Sequence, residues 1–319
     1  MIVGCGALGC PAADLLARAG VGKITLIDRD LVEVSNLHRQ TLFTDADAQA
    51  SRPKAQAAMD RLAQVNPDIQ INALVADFGA DNAERCILHE RFAKPDLLID
   101  GTDNFETRLL INDLSVMHSI PYIYAGAIGT RATAAVFIPG STPCLRCLVP
   151  DLPAPGSQPT CETAGVFAPA SAIIASYQAS EALKLLIGAS ERVMGSLLDF
   201  DLWEGTRRRI DLAELKDPDC PCCVHRRFDF LDREDDETRP LCGRNAIQIN
   251  PITQAPIELA ALAKALSQHG SFSRTSLTIQ GRLAKEDIGL TVFHDGRAIF
   301  DGIDDPALAR TLYARYIGC

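Results

Sequence analysis

The segment Gly4-Cys5-Gly6-Ala7-Leu8-Gly9 has GxGxxG spacing between an apolar strand-like run and a helix-like one. Glycines so placed let the backbone approach a phosphate at the N-terminus of the following helix. Asp28 ends the next strand-like run, where an acceptor for a ribose hydroxyl belongs. Alone, these residues point to a nucleotide without saying which: NAD fits, other nucleotides fit, and so does a merely structural glycine turn. Asn36, Arg39 and Lys54 follow the ribose acceptor. A dinucleotide has no need of such cations, whereas a triphosphate needs charge held at its β- and γ-phosphates and at the α-phosphorus as a bond breaks. Solvated surface charge is the competing reading of Arg39 and Lys54.

Asp103 lies just past the run Leu97 to Asp100, at the carboxyl edge of a sheet where ligands of open α/β folds collect. Its carboxylate could hold Mg²⁺ against the phosphates, or Asp103 and Asn104 could cap the next helix. Cys144-x-x-Cys147 and Cys220-x-x-Cys223 together offer four thiolates for a closed tetrahedral zinc site. A redox dithiol is the alternative. The long separation of the pairs makes zinc a structural fastener between the loop after the sheet and the domain's C-terminal end. Cys222 could replace a neighbour or stay free, and Cys5, Cys10, Cys86, Cys242 and Cys319 read as packing or incidental thiols.

The elements that position these residues read as strands at Lys23 to Asp28, Asp96 to Asp100, Pro121 to Ala125 and Ala134 to Ile138, with helices at Pro11 to Ala19 and Lys54 to Val65. This alternation over residues 1 to 150 implies an α/β fold, a Rossmann-like parallel sheet with helices on both faces. Pro139 to Gly165 reads as a long loop, and Ala168 to Ile187 as an apolar helix. A first, nucleotide-binding domain is expected over 1–224, a mixed-charge linker over 225–240 and a small α+β domain over 241–319. That last unit reads as strand, helix, two or three strands and helix, with a turn at Asp295-Gly296 and a cap at Asp304-Asp305-Pro306. Met1-Ile2-Val3 resembles the tail of a strand, so an upstream segment is expected to be missing.

The chain has 319 residues, a net charge of -10 and a pI near 5.1. That balance argues against general nucleic-acid binding. No apolar run is long enough for a membrane span and no leader-like start is evident, so the default location is cytoplasmic. Eleven cysteines, an odd number in a long chain, favour metal or thiol chemistry over a disulfide framework.

In order, Gly4 to Cys10, Leu26-Ile27-Asp28-Arg29-Asp30, Ser35-Asn36-Leu37-His38-Arg39-Gln40, Pro53-Lys54, Thr102-Asp103-Asn104, Cys144-Leu145-Arg146-Cys147 and Thr163-Ala164-Gly165-Val166 resemble the ThiF/MoeB/HesA family, bacterial relatives of the ubiquitin-activating enzymes. The resemblance covers residues 1 to about 223. It implies that the C-terminal Gly-Gly carboxylate of a ubiquitin-like sulfur-carrier protein, such as one serving thiamin or molybdenum-cofactor synthesis, attacks the α-phosphorus of ATP to give an acyl-adenylate. By this resemblance Gly4, Gly6, Gly9, Asp28, Ser35, Asn36 and Asn104 bind the nucleotide, Arg39 and Lys54 stabilise the transition state, and Asp103 holds Mg²⁺. Cys161 would form a covalent or persulfide link with the carrier. A homodimer and a cysteine desulfurase or other sulfur donor are implied partners.

Relatives also carry an N-terminal helical segment whose arginine reaches the neighbouring subunit's ATP site, and this sequence begins after it. Low activity is the corresponding expectation. Residues 241–319 lack the cysteine-bearing anion loop of a rhodanese domain and resemble a small extension seen on certain ThiF-like proteins. Two rival functions remain at this point. An NAD-dependent oxidoreductase explains Gly4 to Asp28 but leaves Arg39, Lys54 and Asp103 without roles; a noncatalytic docking relative would show no pyrophosphate exchange.

Overall fold

A computed structural model describes residues 1–89, 93–152, 164–233, 238–241, 245–250 and 257–317. The chain divides into two compact units, Met1–Glu234 and Asp235–Cys319. Among the described residues no helix is long and apolar enough to cross a membrane.

The first unit is built in chain order from β1 (Ile2–Val3), α1 (Gly9–Arg18), β2 (Lys23–Ile27), α2 (Asp45–Gln49), α3 (Lys54–Val65), β3 (Gln70–Leu74), α4 (Ala83–Ile87), β4 (Leu98–Asp100), α5 (Phe105–His118), β5 (Tyr122–Ile128), β6 (Arg131–Phe137), α6 (Leu145–Leu148), α7 (Ala168–Leu186), β7 (Ser196–Asp201) and β8 (Thr206–Asp211). Its eight strands are ordered β3-β2-β1-β4-β5-β6-β7-β8. The run from β3 to β5 is parallel, and β5 to β8 is antiparallel. The expected α/β architecture is therefore present, but as a mixed sheet.

The wholly parallel reading fails at β6, which doubles back on β5. Gly129-Thr130 joins them, and Gly129 has φ 55°, the left-handed conformation that two-residue hairpin turns favour. The sequence alternation is obeyed on both sides of that turn. Tyr122, Tyr124, Ala135 and Phe137 enter one core with Leu109 and Leu114 of α5, whereas Ala125, Ala132 and Ala134 enter the other with Ala170 and Ile174 of α7. Period-two strands with both faces apolar thus hold a helix layer on each side.

The linker expected over 225–240 starts too early. Phe230 is 4% exposed within the core of the first unit, and its N–H donates to Asp113 of α5 at 2.9 Å. Apolar residues among the charges of that stretch decide its fate.

The second unit comprises β9 (Thr238–Pro240), β10 (Ala246–Ile249), α8 (Leu259–Leu266), β11 (Gly270–Arg274), β12 (Thr278–Leu283), β13 (Ile288–Phe293), β14 (Ala298–Asp301) and α9 (Pro306–Tyr316). They form one antiparallel sheet, ordered β11-β12-β13-β14-β10-β9. Four strands separate the helices where two or three were expected, because β11 is a polar, mostly exposed edge strand without an apolar alternation. Asp305 caps α9, its side chain accepting from Ala307 N–H at 2.9 Å.

Candidate active site

The glycine loop is shaped by its own backbone contacts. Gly4 has φ 93°, and its N–H donates to Ile27 O at 2.7 Å. A Cβ on Gly4 would overlap the Gly101 carbonyl, and one on Gly9 or Gly101 would overlap the Gly4 carbonyl. The loop after β1 therefore packs backbone to backbone on the loop after β4, which only glycine permits. Gly6 differs: the nearest heavy atom to a Cβ there, outside its chain neighbours, would be Gly101 O at 3.6 Å. Internal packing does not demand glycine at position 6, so its missing side chain leaves room for something outside the loop.

Asp28, directly after β2, is fixed by two backbone donors. Its carboxylate oxygens accept from Cys5 N–H at 2.6 Å and Asp30 N–H at 2.7 Å, tying it to the glycine loop. Burial raises its pKa above the usual carboxylate range, against the pull of nearby Lys54 and those two N–H groups. Lys54 opens α3, and its N–H donates to Asp30 O at 2.9 Å, fixing the helix start beside the same segment. Its buried ammonium reaches Asp30 at 2.9 Å. Burial works against that charge, but Asp30, Asp28 and the more distant Asp103 outweigh it and hold Lys54 above the ordinary lysine range.

Asp103 lies two residues beyond Gly101, exposed, on the loop between β4 and α5. Asn104, not Asp103, is the cap of α5, its Oδ1 accepting from Thr107 N–H at 2.9 Å. Asp103 is thereby left out of the capping role, and its charge acts on Lys54, Arg29 and Arg108.

Asp100 and Arg108, which the sequence reading did not single out, build this loop. Asp100 is 0% exposed and accepts from Tyr122 Oη at 2.9 Å and from the Thr102 N–H and hydroxyl at 2.8 and 2.7 Å. Arg108 pairs with Asp100 at 3.3 Å, donates to Thr102 O at 2.9 Å and lies 5.2 Å from the Phe105 ring centroid. A buried carboxylate survives here because its charge is paired and hydrogen-bonded. An arginine at an otherwise apolar position of a helix is the only sequence signal of the pair.

Ser35, Asn36 and Arg39 share one turn, Ser35 exposed and Asn36 and Arg39 half-buried. Asn36 donates to Ser35 Oγ at 3.1 Å and accepts from Gln40 at 3.2 Å, and Arg39 donates to Ser35 O at 3.2 Å beside the His38 ring. The same segment comes near the glycine helix at Leu42, whose backbone acts to lower the pKa of the Cys10 thiol against the effect of burial. Gly4, Gly6, Gly9, Asp28, Lys54 and Asp103 are thus brought together, while the Arg39 guanidinium is turned to its own backbone. Cys161 lies outside the described residues.

The four expected metal ligands also converge. Cys144 Sγ lies 3.6 Å from Cys220 Sγ, Cys147 Sγ lies 3.5 Å from Cys223 Sγ, and all four sulfurs fall within 4.8 Å of one another. Zinc–sulfur bonds of about 2.3 Å in a tetrahedron put sulfurs roughly 3.8 Å apart. A disulfide would need about 2.05 Å. The cluster has the dimensions of a four-thiolate metal site. Cys222 stays outside it, buried, with its sulfur accepting from Asn112 Nδ2 at 3.3 Å.

The chain is 40% identical over 320 residues to the sulfur carrier protein ThiS adenylyltransferase of Bacillus subtilis, covering 100% of this chain and 92% of the relative. The second unit is therefore shared with that relative. Against the protein of the same description from Escherichia coli, identity is 41% over 224 residues, 70% of this chain and 84% of the relative. The crystal structure of E. coli MccB with ATP shares the fold, with a TM-score of 0.57 and 23% identity over 70% of this chain and 65% of MccB. The family model described as the ThiF family matches residues 1–222, from the glycine loop to Cys220 and ending one residue before Cys223, and the chain belongs to that family.

Proposed function

We propose that this protein is an adenylyltransferase that uses ATP to activate the C-terminal Gly-Gly carboxylate of a ubiquitin-like sulfur-carrier protein, for sulfur delivery in thiamin or molybdenum-cofactor synthesis. The observation that carries this reading is the buried, charged Lys54 beside Asp28 and the glycine loop. A nicotinamide dinucleotide carries only a pyrophosphate, which a glycine loop and helix N-terminus hold by themselves, whereas a triphosphate that is cleaved brings further charge for that cation to stabilise.

In this reading the Gly6 backbone lies against the phosphates and Asp28 accepts from the ribose hydroxyls. A carboxylate oxygen of the carrier attacks the α-phosphorus, the bond from that phosphorus to the bridging oxygen of the β-phosphate breaks, and pyrophosphate leaves with the electron pair. No general base takes part, since the nucleophile is already ionised. Lys54 stabilises the charge that develops at the phosphates, and Arg39 joins it after turning from Ser35 O. Ser35 and Asn36 orient the phosphates, and Asn104 keeps the Asp103 loop at the start of α5. Asp103 would hold Mg²⁺, which when bound would supply charge neutralisation at the phosphates.

Zinc fits the Cys144, Cys147, Cys220 and Cys223 cluster by its sulfur spacing and, as a closed site, fastens the loop after β6 to residues 220–223. Cys161 takes over the activated carrier, its thiolate attacking the acyl-adenylate carbonyl to form a thioester as the bond to the AMP oxygen breaks and AMP leaves with the electron pair. The protein works as a homodimer in the cytoplasm, with a cysteine desulfurase as a source of sulfur.

Exchange of labelled pyrophosphate into ATP tests the reading. It should require a carrier ending in Gly-Gly and vanish when the last glycine is deleted. Protection by NAD but not ATP, or no exchange with any carrier of a ThiS- and MoaD-like panel, would refute it.

A further inference from the structure

Asn112 sits on α5, outside both CxxC pairs, yet touches both of their loops. It is 1% exposed. Its Oδ1 accepts from the N–H of Leu145, the residue after Cys144, at 2.7 Å, and its Nδ2 donates to the sulfur of Cys222, the residue before Cys223, at 3.3 Å. The pairs it joins stand 76 residues apart in the chain. Val116, one turn further along α5, packs in the same cluster with Cys144, Cys220 and Cys222. Neighbouring Asp113 accepts from Phe230 N–H at 2.9 Å, holding the chain that leaves the second pair.

From this we infer that Asn112 is the positioning residue of the four-cysteine metal centre, its single amide holding the two ligand loops in register so that the four sulfurs are gathered on the protein's own framework. The inference rests on reading the cluster as a metal site. Two separate ligand pairs lose affinity to the cost of ordering them, and a side chain that orders both beforehand reduces that cost. Cys222 belongs to the same device: it is the fifth thiol of the region, outside the four-sulfur cluster, and its sulfur accepts from the Asn112 amide. Truncating Asn112 would leave the Leu145 N–H and the Cys222 sulfur without this partner in a buried place.

The test uses the full chain, reduced, with Zn²⁺ affinity measured by competition against a chromophoric chelator and the ligand set read from the absorption of the Co²⁺-substituted protein. Wild-type protein should take one metal per chain with four-thiolate absorption. Asn112→Ala should keep that stoichiometry but bind Zn²⁺ about 10-fold more weakly, the low end of the loss seen when an outer partner of a metal ligand is removed, because Asn112 holds the residues next to Cys144 and Cys223 rather than the ligands themselves. Cys222→Ala, which keeps the Leu145 bond, should lose less. The metal-induced rise in thermal midpoint should shrink in Asn112→Ala, whereas a packing defect alone would lower the midpoint equally with and without metal. Zn²⁺ affinity within about twofold of wild type in a folded Asn112→Ala protein would overturn the inference. Should that variant fail to fold, undiminished affinity in Cys222→Ala would overturn it instead. Wild-type protein that binds no metal would refute the metal-site reading itself, a distinct result.

Discussion

The Lys54 ammonium lies 2.9 Å from the Asp30 carboxylate, but the two side chains live in different surroundings, Lys54 at 6% exposure and Asp30 at 39%. The lysine is locked in place and charged before any nucleotide arrives, while its partner remains open to water. In the proposed reaction Lys54 would receive phosphate oxygens without a conformational change of its own. Lys54→Ala should lower pyrophosphate exchange by about 10²-fold or more. Circular dichroism should show a folded protein. Lys54→Arg should rescue little, because a planar guanidinium does not fit a slot cut for an ammonium.

Glycines 4 and 6 should respond differently to the same methyl group. Gly4→Ala places a side chain at φ 93° against Gly101 O and should destabilise the first unit by about 2–4 kcal/mol, measured by urea unfolding. Gly6→Ala meets only Gly101 O at 3.6 Å and should stay within about 1 kcal/mol of wild type while ATP affinity, measured by calorimetry, falls roughly tenfold or more. Equal losses of stability would show that Gly6 serves packing after all.

Because Asn104 supplies the cap of α5, Asp103 can be changed without loosening that helix. Asp103→Asn should leave the thermal midpoint near wild type, lower exchange by about 10–100-fold and raise the Mg²⁺ concentration needed for half-maximal rate. An unchanged Mg²⁺ requirement would remove Asp103 from metal binding.

The glycine loop, Asp28, Lys54 and the four cysteines were legible in the sequence because each sits in a local motif whose spacing fixes its geometry. The antiparallel half of the sheet was not, since β7 and β8 lack the strand–helix alternation, and the reversal at Gly129-Thr130 depends on a turn conformation that composition only hints at. Asp100 with Arg108, and Asn112 with Cys222, stayed hidden for another reason. They pair residues that are 8 and 110 positions apart, through burial that only the packed sheet creates. Asn104, for which both a cap and a nucleotide contact were legible, has its side-chain oxygen on its own helix.

Cys10 gives the alkaline behaviour a definite sign. Burial pushes its thiol from 9.0 up to about 12, with the Leu42 backbone pulling the other way. Between those values the native state keeps a proton that the unfolded chain releases. The stabilisation is therefore complete below pH 9 and lost progressively as pH rises toward 12, at up to about 1.4 kcal/mol per pH unit. Cys10→Ala should flatten that fall in urea midpoints measured from pH 8.5 to about 10.5. An equally steep fall in the variant would assign the loss to other groups.

The most direct measurement follows the oxygen atoms. A carrier whose C-terminal carboxylate is enriched in heavy oxygen is incubated with ATP, Mg²⁺, the enzyme and a sulfur donor, and AMP and pyrophosphate are analysed by mass spectrometry. Attack by that carboxylate on the α-phosphorus transfers one heavy oxygen to AMP and none to pyrophosphate. Heavy oxygen in pyrophosphate or inorganic phosphate, or AMP formed without any label, would contradict activation at the innermost phosphorus.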